Sequence, residues 1–429
     1  MNSAVRSTAL VTAGNLLVKA FAFLATVLLM RGFTPAEFGQ IMVMVSLMSI
    51  LPVFMDYGSA NSFLKFFPTM KATGLAHRRD HLFGAALLFR TVTGLVLLAA
   101  GMTVAKPVAG LLLHDTALSS VVVLAFAGGF AASFLNFFQV VFQSDEDFKH
   151  LVILQFLDAF VKAVGAGIVI GAVAGAAVIH GVAVYAAAPL AAVLVMGAWK
   201  YRMLPRPKVP DWGLFKQFFR FSSWYMISAA SIMIFVNFDY LILAAVRPAE
   251  EVGYFGSAVR LGTMFFLLVQ AINTVLMPYI GRITEAGAMR RFFRKAQVRT
   301  AWLSIAILPA VFLGPWLVRW IAGPSYLPAV STYYWIALDQ IAQLVFTPFM
   351  AVLFGLNRPR LLTLYVAMEM ILNICGDLLV VHAWGADGVA AVTLCVRLLV
   401  GTVGSIHVWY GLRNRDGFID AGSVTGMSE

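Results

Sequence analysis

The chain has 429 residues, of which 61% are hydrophobic and only 12% charged, with a mean hydropathy of +0.87 and a formal net charge of +11. A soluble domain carries about 25% charged and 45–50% apolar residues, so an ordinary water-soluble fold is excluded and lipid is the main solvent. Two cysteines, Cys375 and Cys395, both inside apolar runs, exclude a disulfide framework.

The first apolar run, about 7–30, is long enough for a bilayer, which needs about 20 residues. It lacks an A-x-A cleavage end and reads as a permanent helix rather than a signal peptide. Further runs follow near 36–57, 82–104, 119–142, 151–175, 178–198, 221–246, 253–280, 299–321, 332–356, 361–383 and 386–410, which makes twelve. Backbone groups in lipid must bond within their own segment, so each run is predicted to be a helix. The runs are too long and too uniformly apolar for the alternating strands of a barrel.

Lysines and arginines divide unevenly between the loops. The N-terminus, every second loop and the C-terminus hold 22, whereas the alternate loops hold 4, namely Arg31, Lys106, Arg247 and Arg319. By the positive-inside rule both termini are predicted to be cytoplasmic. The net charge is thereby explained as topology, and no nucleic-acid partner is expected. All nine tryptophans fall at or near run ends, as an interfacial belt requires. The basic stretches "RRFFRKAQ" (Arg290 to Gln297) and "WGLFKQFFRF" (Trp212 to Phe221) are amphipathic enough to lie on the inner leaflet and touch anionic headgroups.

Three words recur at a spacing of about 210 residues. "FTPAEFGQ" from Phe33 returns as "VRPAEEVGYF" from Val246; "VVFQSDEDFKHL" returns as "AVLFGLNRPRLL"; "VIHGVAVYAAAPL" returns as "GADGVAAVTLCVRL". In the first copy Thr34 is placed to N-cap, Pro35 suits the first helical position, and Glu37 completes a capping box. The second copy keeps Pro248 and Glu250 but has Arg247 at the cap position, so its box is weaker. Two homologous six-helix halves are predicted: an N-terminal bundle over 1–201, a basic cytoplasmic linker over 202–220, a C-terminal bundle over 221–411 and a cytoplasmic tail over 412–429. Because six is even, the halves share an orientation and are related by a pseudo-twofold axis along the membrane normal. Two such bundles form a V-shaped cleft suited to alternating access.

The first span's "MRGFTPAEFGQ", the second's "FMDYGSANSF" and the "GVA" turn at the sixth resemble the polysaccharide-export branch of the multidrug/oligosaccharidyl-lipid/polysaccharide (MOP) exporter superfamily, which includes the O-antigen-type (Wzx-like) flippases. The resemblance covers essentially the whole chain. It implies a MATE-like all-α polytopic fold and no cofactor. As substrate it implies a lipid-linked oligosaccharide on undecaprenyl pyrophosphate, moved across a bacterial inner membrane for surface polysaccharide assembly. Membrane lipids and a polysaccharide polymerase complex are the partners implied.

Five cations lie inside the spans: Lys19, Arg90, Lys162, Arg260 and Arg397. The acids at membrane depth are Asp158, Asp239, Asp339, Glu369 and Asp377, with Asp56 at a span end. Each ionised group costs at least about 2.5–3.5 kcal/mol at a helix centre, so it needs a partner or a wet cavity. Pairing is one reading: Asp158 with Lys162 four residues on, Asp239 with Arg260, and Glu369 with Arg397. Lys19 and Arg90 have few acids in their half, Asp56 being the only other candidate. Transport is the other reading. The five cations would bind the substrate's pyrophosphate, which the resemblance implies, and Asp239, Glu369 and Asp377 would bind a driving proton or sodium ion.

"GAGIVIGAVAG" (Gly165 to Gly175) places Gly167, Gly171 and Gly175 four residues apart, which predicts a close-packing face between helices. No strand precedes it, so it is no nucleotide loop. Pro52, Pro189, Pro278, Pro309 and Pro348 are candidates for kinks. The seven histidines show no metal-ligand spacing, and no nucleophile elbow or phosphate loop occurs. An enzyme is therefore not expected. Two rivals stand beside the flippase: a cation-coupled multidrug antiporter of the same fold, and a membrane-bound polysaccharide polymerase or ligase.

Overall fold

The structure, a computed structural model, describes residues 3–57, 59, 63–64, 67, 70, 76–172, 177–200, 207–208, 212–280, 283, 286–356 and 358–414. Among these residues there are helices and no strands. In chain order they are α1 (Ser3–Gly32), α2 (Pro35–Asp56), α3 (Ala76–Leu112), α4 (Ser119–Ser144), α5 (Phe148–Ala172), α6 (Val178–Lys200), α7 (Trp212–Val246), α8 (Ala249–Ile280), α9 (Ala286–Ile307) and α10 (Ala329–Gly355). The run Pro359–Asn414 contains one non-helical residue, Gly385, at φ 52° and ψ −135°, which divides it into α11 (359–384) and α12 (386–414). Such a backbone suits glycine, which has no Cβ to clash. Eleven segments are long and apolar enough to cross a bilayer, and the last of them, at 54 residues, holds two crossings. The twelve expected spans are accounted for, and the chain is a multi-pass membrane protein.

Three boundaries depart from the sequence reading. Span three was expected over 82–104 and α3 runs from 76 to 112, because polar Asp80 and His81 continue the helix past the lipid-facing run. The amphipathic stretch from Trp212 forms the first turns of α7. After α9, Leu308–Leu313 tightens to a 3-10 helix led by Pro309, and Val318–Ala322 widens to a π-helix. Of the 22 loop cations, Lys65, Lys71, Arg202, Arg206, Arg282 and Arg415 lie outside the described residues, as does Gly175 of the glycine series.

The chain divides into two compact units, Met1–Gly253 and Tyr254–Glu429. In the first, α2 is the central element. Phe38, Ile41, Met42, Val43 and Met44 on it are all nearly inaccessible, and it packs on α4, α6 and α7. α1 lies along α5 in parallel register. Gly14 meets Val152, Phe21 stands edge-on to Phe156 at 5.3 Å, and Gly32 meets Ile170. In the second unit, Phe349, Val352, Tyr365, Val400 and Val408 form a core shared by α10, α11 and α12.

The first Pro-Ala-Glu word folds as its sequence predicts. The Thr34 Oγ1 accepts the Glu37 amide at 3.3 Å and a Glu37 carboxylate oxygen accepts the Thr34 amide at 2.9 Å. In the second copy an ion pair replaces the box, with Arg247 Nε donating to Glu251 at 2.7 Å. The two words also touch. A Cβ on Gly39 would lie 2.1 Å from the Ala249 carbonyl oxygen, and one on Gly253 would lie 1.9 Å from that of Pro35. Only glycine permits this reciprocal backbone approach. The predicted glycine face on α5 is corrected for Gly167 and Gly171: among the described residues none comes within 4 Å of a Cβ on either, whereas one on Gly165 would meet Val184 at 3.3 Å.

Candidate functional site: buried charge clusters

Arg90 on α3 is 1% exposed. Its guanidinium forms an ion pair with Asp56 at the end of α2, donates from Nε to Ser133 Oγ at 2.8 Å, and lies 4.4 Å over the Phe137 ring. Asp56 also accepts the Ser59 hydroxyl at 2.5 Å. α2 ends here because Tyr57 adopts the left-handed conformation at φ 48°, which brings Asp56 alongside α3. The structure thus gives Arg90 the one acid that the sequence offered it. The two serines and the phenylalanine ring had no signal in sequence.

On α5, Lys162 Nζ donates to Asp158 at 2.6 Å, as the four-residue spacing predicts. Lys162 also stands 5.7 Å from the ring centre of Tyr185 on α6, whose hydroxyl is 3.3 Å from Thr26 Oγ1 on α1. Helices α1, α5 and α6 therefore share one polar spot in an otherwise apolar packing layer. The second Asp158 oxygen is buried there without a hydrogen-bond partner. Lys19 is exposed on α1, and no carboxylate among the described residues pairs with it. Asp239 is buried on α7 of the first unit, and Arg260 is half-buried on α8 of the second.

The second unit contains the denser cluster. Arg397 on α12 donates from Nε to Asp339 of α10 at 2.5 Å and from Nη2 to the other Asp339 oxygen at 3.4 Å. Its Nη1 is 3.7 Å from Glu369 of α11. Glu369, Asn373 and Asp377 follow one another at four-residue steps on α11, and all are buried. Asn373 donates to Thr393 at 3.1 Å, one turn before Arg397. The expected Glu369–Arg397 pair exists, but Asp339 is the closer partner, a correction whose cause is rotational. Asp339 and Arg397 face one another across α10 and α12, and the order of helices along the chain does not reveal this. The four-residue rhythm of Glu369, Asn373 and Asp377 was the available signal, since it puts all three on one helix face.

Burying an ion pair is costly, and its attraction offsets that only with good geometry and further hydrogen bonds. Asp339 meets the requirement with two Arg397 contacts and a 3.0 Å bond from Gln340. Glu369, 3.7 Å away and outside hydrogen-bond range, is the loosely held carboxylate. No group of three or more His, Cys, Asp or Glu is placed to hold a metal ion among the described residues.

Residues 4–284 match the family model described as polysaccharide biosynthesis protein. No curated protein sequence matches the chain. Solved structures share the fold. An inward-facing multidrug resistance MATE family transporter of the MOP superfamily is 12% identical, with 93% of this chain and 96% of that one covered and a TM-score of 0.78. The lipid II flippase MurJ, in an inward closed conformation, is 11% identical over 96% of this chain and 90% of its own, also at 0.78. A Vibrio cholerae MATE transporter, VcmN, is 14% identical over 96% of this chain and 99% of its own, at 0.62. At such identities the likeness establishes the fold.

Proposed function

The chain belongs to the polysaccharide biosynthesis protein family, and on that premise we propose that it is a flippase. It moves a lipid-linked oligosaccharide, carried on undecaprenyl pyrophosphate, outward across a bacterial inner membrane by alternating access, with both termini cytoplasmic. The observation that carries this reading is the set of ionisable groups inside apolar helices, each costly unless it is used or paired. Lys19, exposed within the α1 span and with no carboxylate partner among the described residues, is the cation best placed to meet a pyrophosphate. Lys162 in the same unit and Arg260 in the second are the further candidates, each taken by itself. Arg90 and Arg397 take part through their acid partners, as internal counter-charges to Asp56 and to Asp339.

The driving ion acts on buried acids, foremost those of the second unit. Glu369 is held at arm's length by Arg397, so it is the group that exchanges a proton or a sodium ion with least loss of structure. Asp377 lies two turns along the same face, and Asp239 is the corresponding acid of α7. A polysaccharide polymerase complex is the natural recipient of the product.

The experiment is depletion of the protein in its native cell, followed by assay of lipid-linked single repeat units. Accumulation on the cytoplasmic face supports the flippase, and accumulation on the outer face points to a polymerase or ligase. The MATE likeness of the fold favours one second reading, a multidrug antiporter. That reading requires drug hypersensitivity on depletion with normal surface polysaccharide. Within the flippase reading, Lys19→Ala at normal protein level is expected to reduce polysaccharide export at least tenfold, and full export would remove Lys19 from the site.

A further inference from the structure

The first turns of α9 carry a bare cationic face. Arg291, Arg294, Lys295 and Arg299 are all exposed, and at these spacings they share one side of the helix. The opposite side, Met289, Phe293, Ala296, Thr300 and Ser304, is buried against the second unit. None of the four cations pairs with a carboxylate among the described residues. Their neighbour Arg290 belongs to the packed side, 5.0 Å over the Trp409 ring. The start of α3 in the first unit is built differently: Arg79 is paired with Asp145, and Asp80 with Lys208 at 3.5 Å.

The cationic face continues without a break into apolar side chains. Val298 is 50% exposed, Trp302 67% and Ile305 58%, all on the same side of α9. In a membrane-spanning helix such residues face lipid, and a tryptophan one turn beyond the last arginine marks the interface. The four cations therefore sit at headgroup level on the lipid-facing perimeter. From Arg291 to Arg299 they cover about 12 Å along the axis. Like charges this close repel unless anions lie between them, and each guanidinium fits a phosphate through two hydrogen bonds.

We infer that this face of α9 is a binding site for an acidic phospholipid carrying two phosphates, of the diphosphatidylglycerol type. The site draws on the ordinary lipid of the leaflet where α9 begins, and it rests on the membrane location alone, so it stands whether or not the flippase reading does.

The test uses the purified full-length protein in neutral detergent, titrated with diphosphatidylglycerol or with phosphatidylcholine. Retained lipid is counted by native mass spectrometry. The wild type is expected to retain diphosphatidylglycerol in preference, with retention falling as salt rises. Each neutralisation is expected to weaken retention about fivefold, so R291Q/R294Q/K295Q/R299Q loses it by at least a hundredfold. R360Q/R413Q, which removes exposed charge elsewhere in the same unit, leaves it within twofold. Should the quadruple variant fail to fold, R291Q/R294Q carries the decision at about twenty-five-fold. Retention within twofold in the α9 variants, equal binding of phosphatidylcholine, or equal loss in R360Q/R413Q would overturn the site.

Discussion

In the first unit Asp158 is neutralised by Lys162, one turn along the same helix, whereas in the second Glu369 faces an arginine from the next helix that Asp339 of a third helix also engages. The difference matters for motion. A pair within one helix moves as a rigid piece, and no rearrangement of neighbours alters its distance. A tie among three helices changes whenever they shift, so its charge state and its packing are linked. Asp158–Lys162 thus reads as a fixed neutralisation, and the cluster of Asp339, Glu369 and Arg397 as an adjustable one. The strongest test of that contrast is Asp339→Asn. It takes from the buried guanidinium of Arg397 its nearest carboxylate and leaves Glu369 at 3.7 Å. Breaking a buried pair from one side typically costs about 3–5 kcal/mol. Thermal unfolding in detergent should show the largest loss of any single substitution considered for this protein. Replacing the whole cluster with apolar residues, Asp339→Leu and Glu369→Leu with Arg397→Met, should recover much of it. If Asp339→Asn unfolds with wild-type stability, the cluster is not the tie described.

Lys162→Met provides the matching measurement in the first unit. It strands Asp158, whose second oxygen is already without a hydrogen bond. Asp158 keeps 14% side-chain exposure, more than Asp339, so water offsets part of the penalty. The expected cost is about 1–3 kcal/mol, below that of Asp339→Asn. A larger loss than in the second unit would reverse the assignment of fixed and adjustable clusters.

The sequence made some of this legible and left the rest to the packing. Spans are a one-dimensional property, since about 20 apolar residues fill a bilayer wherever they fall, and the repeated words give the halves. The pair Asp158–Lys162 was legible for the same reason, because both partners sit on one helix. Partners from different helices depend on how each helix is rotated, and no local pattern carries that. Asp339, 58 residues before Arg397, was therefore passed over for Glu369 on the neighbouring span. Gly167 and Gly171 mislead in the opposite direction. Their spacing is that of a packing motif, yet among the described residues none comes within 4 Å of a Cβ built on either. Gly39 and Gly253, one in each copy of the repeated word, make the close backbone contact instead.

The smallest expected effect concerns the two helix starts that carry the repeated word. α2 begins with a reciprocal box, in which Thr34 and Glu37 satisfy each other's exposed amides. α8 begins with a side-chain ion pair instead, Arg247 to Glu251, both partly exposed. A lost threonine cap typically costs about 1 kcal/mol, whereas exposed ion pairs contribute about 0–1 kcal/mol and are screened by salt. Thr34→Ala should therefore lower the unfolding midpoint by a small amount that does not depend on ionic strength. Arg247→Ala should lower it less, and high salt should abolish the difference from wild type. The salt response separates the two devices even where the magnitudes overlap: a cap bonds to backbone amides at contact distance, and added ions do not compete for it. Equal salt sensitivity in both variants would mean that the box at Thr34 acts through the charge of Glu37 near the α2 N-terminus rather than through its hydrogen bonds.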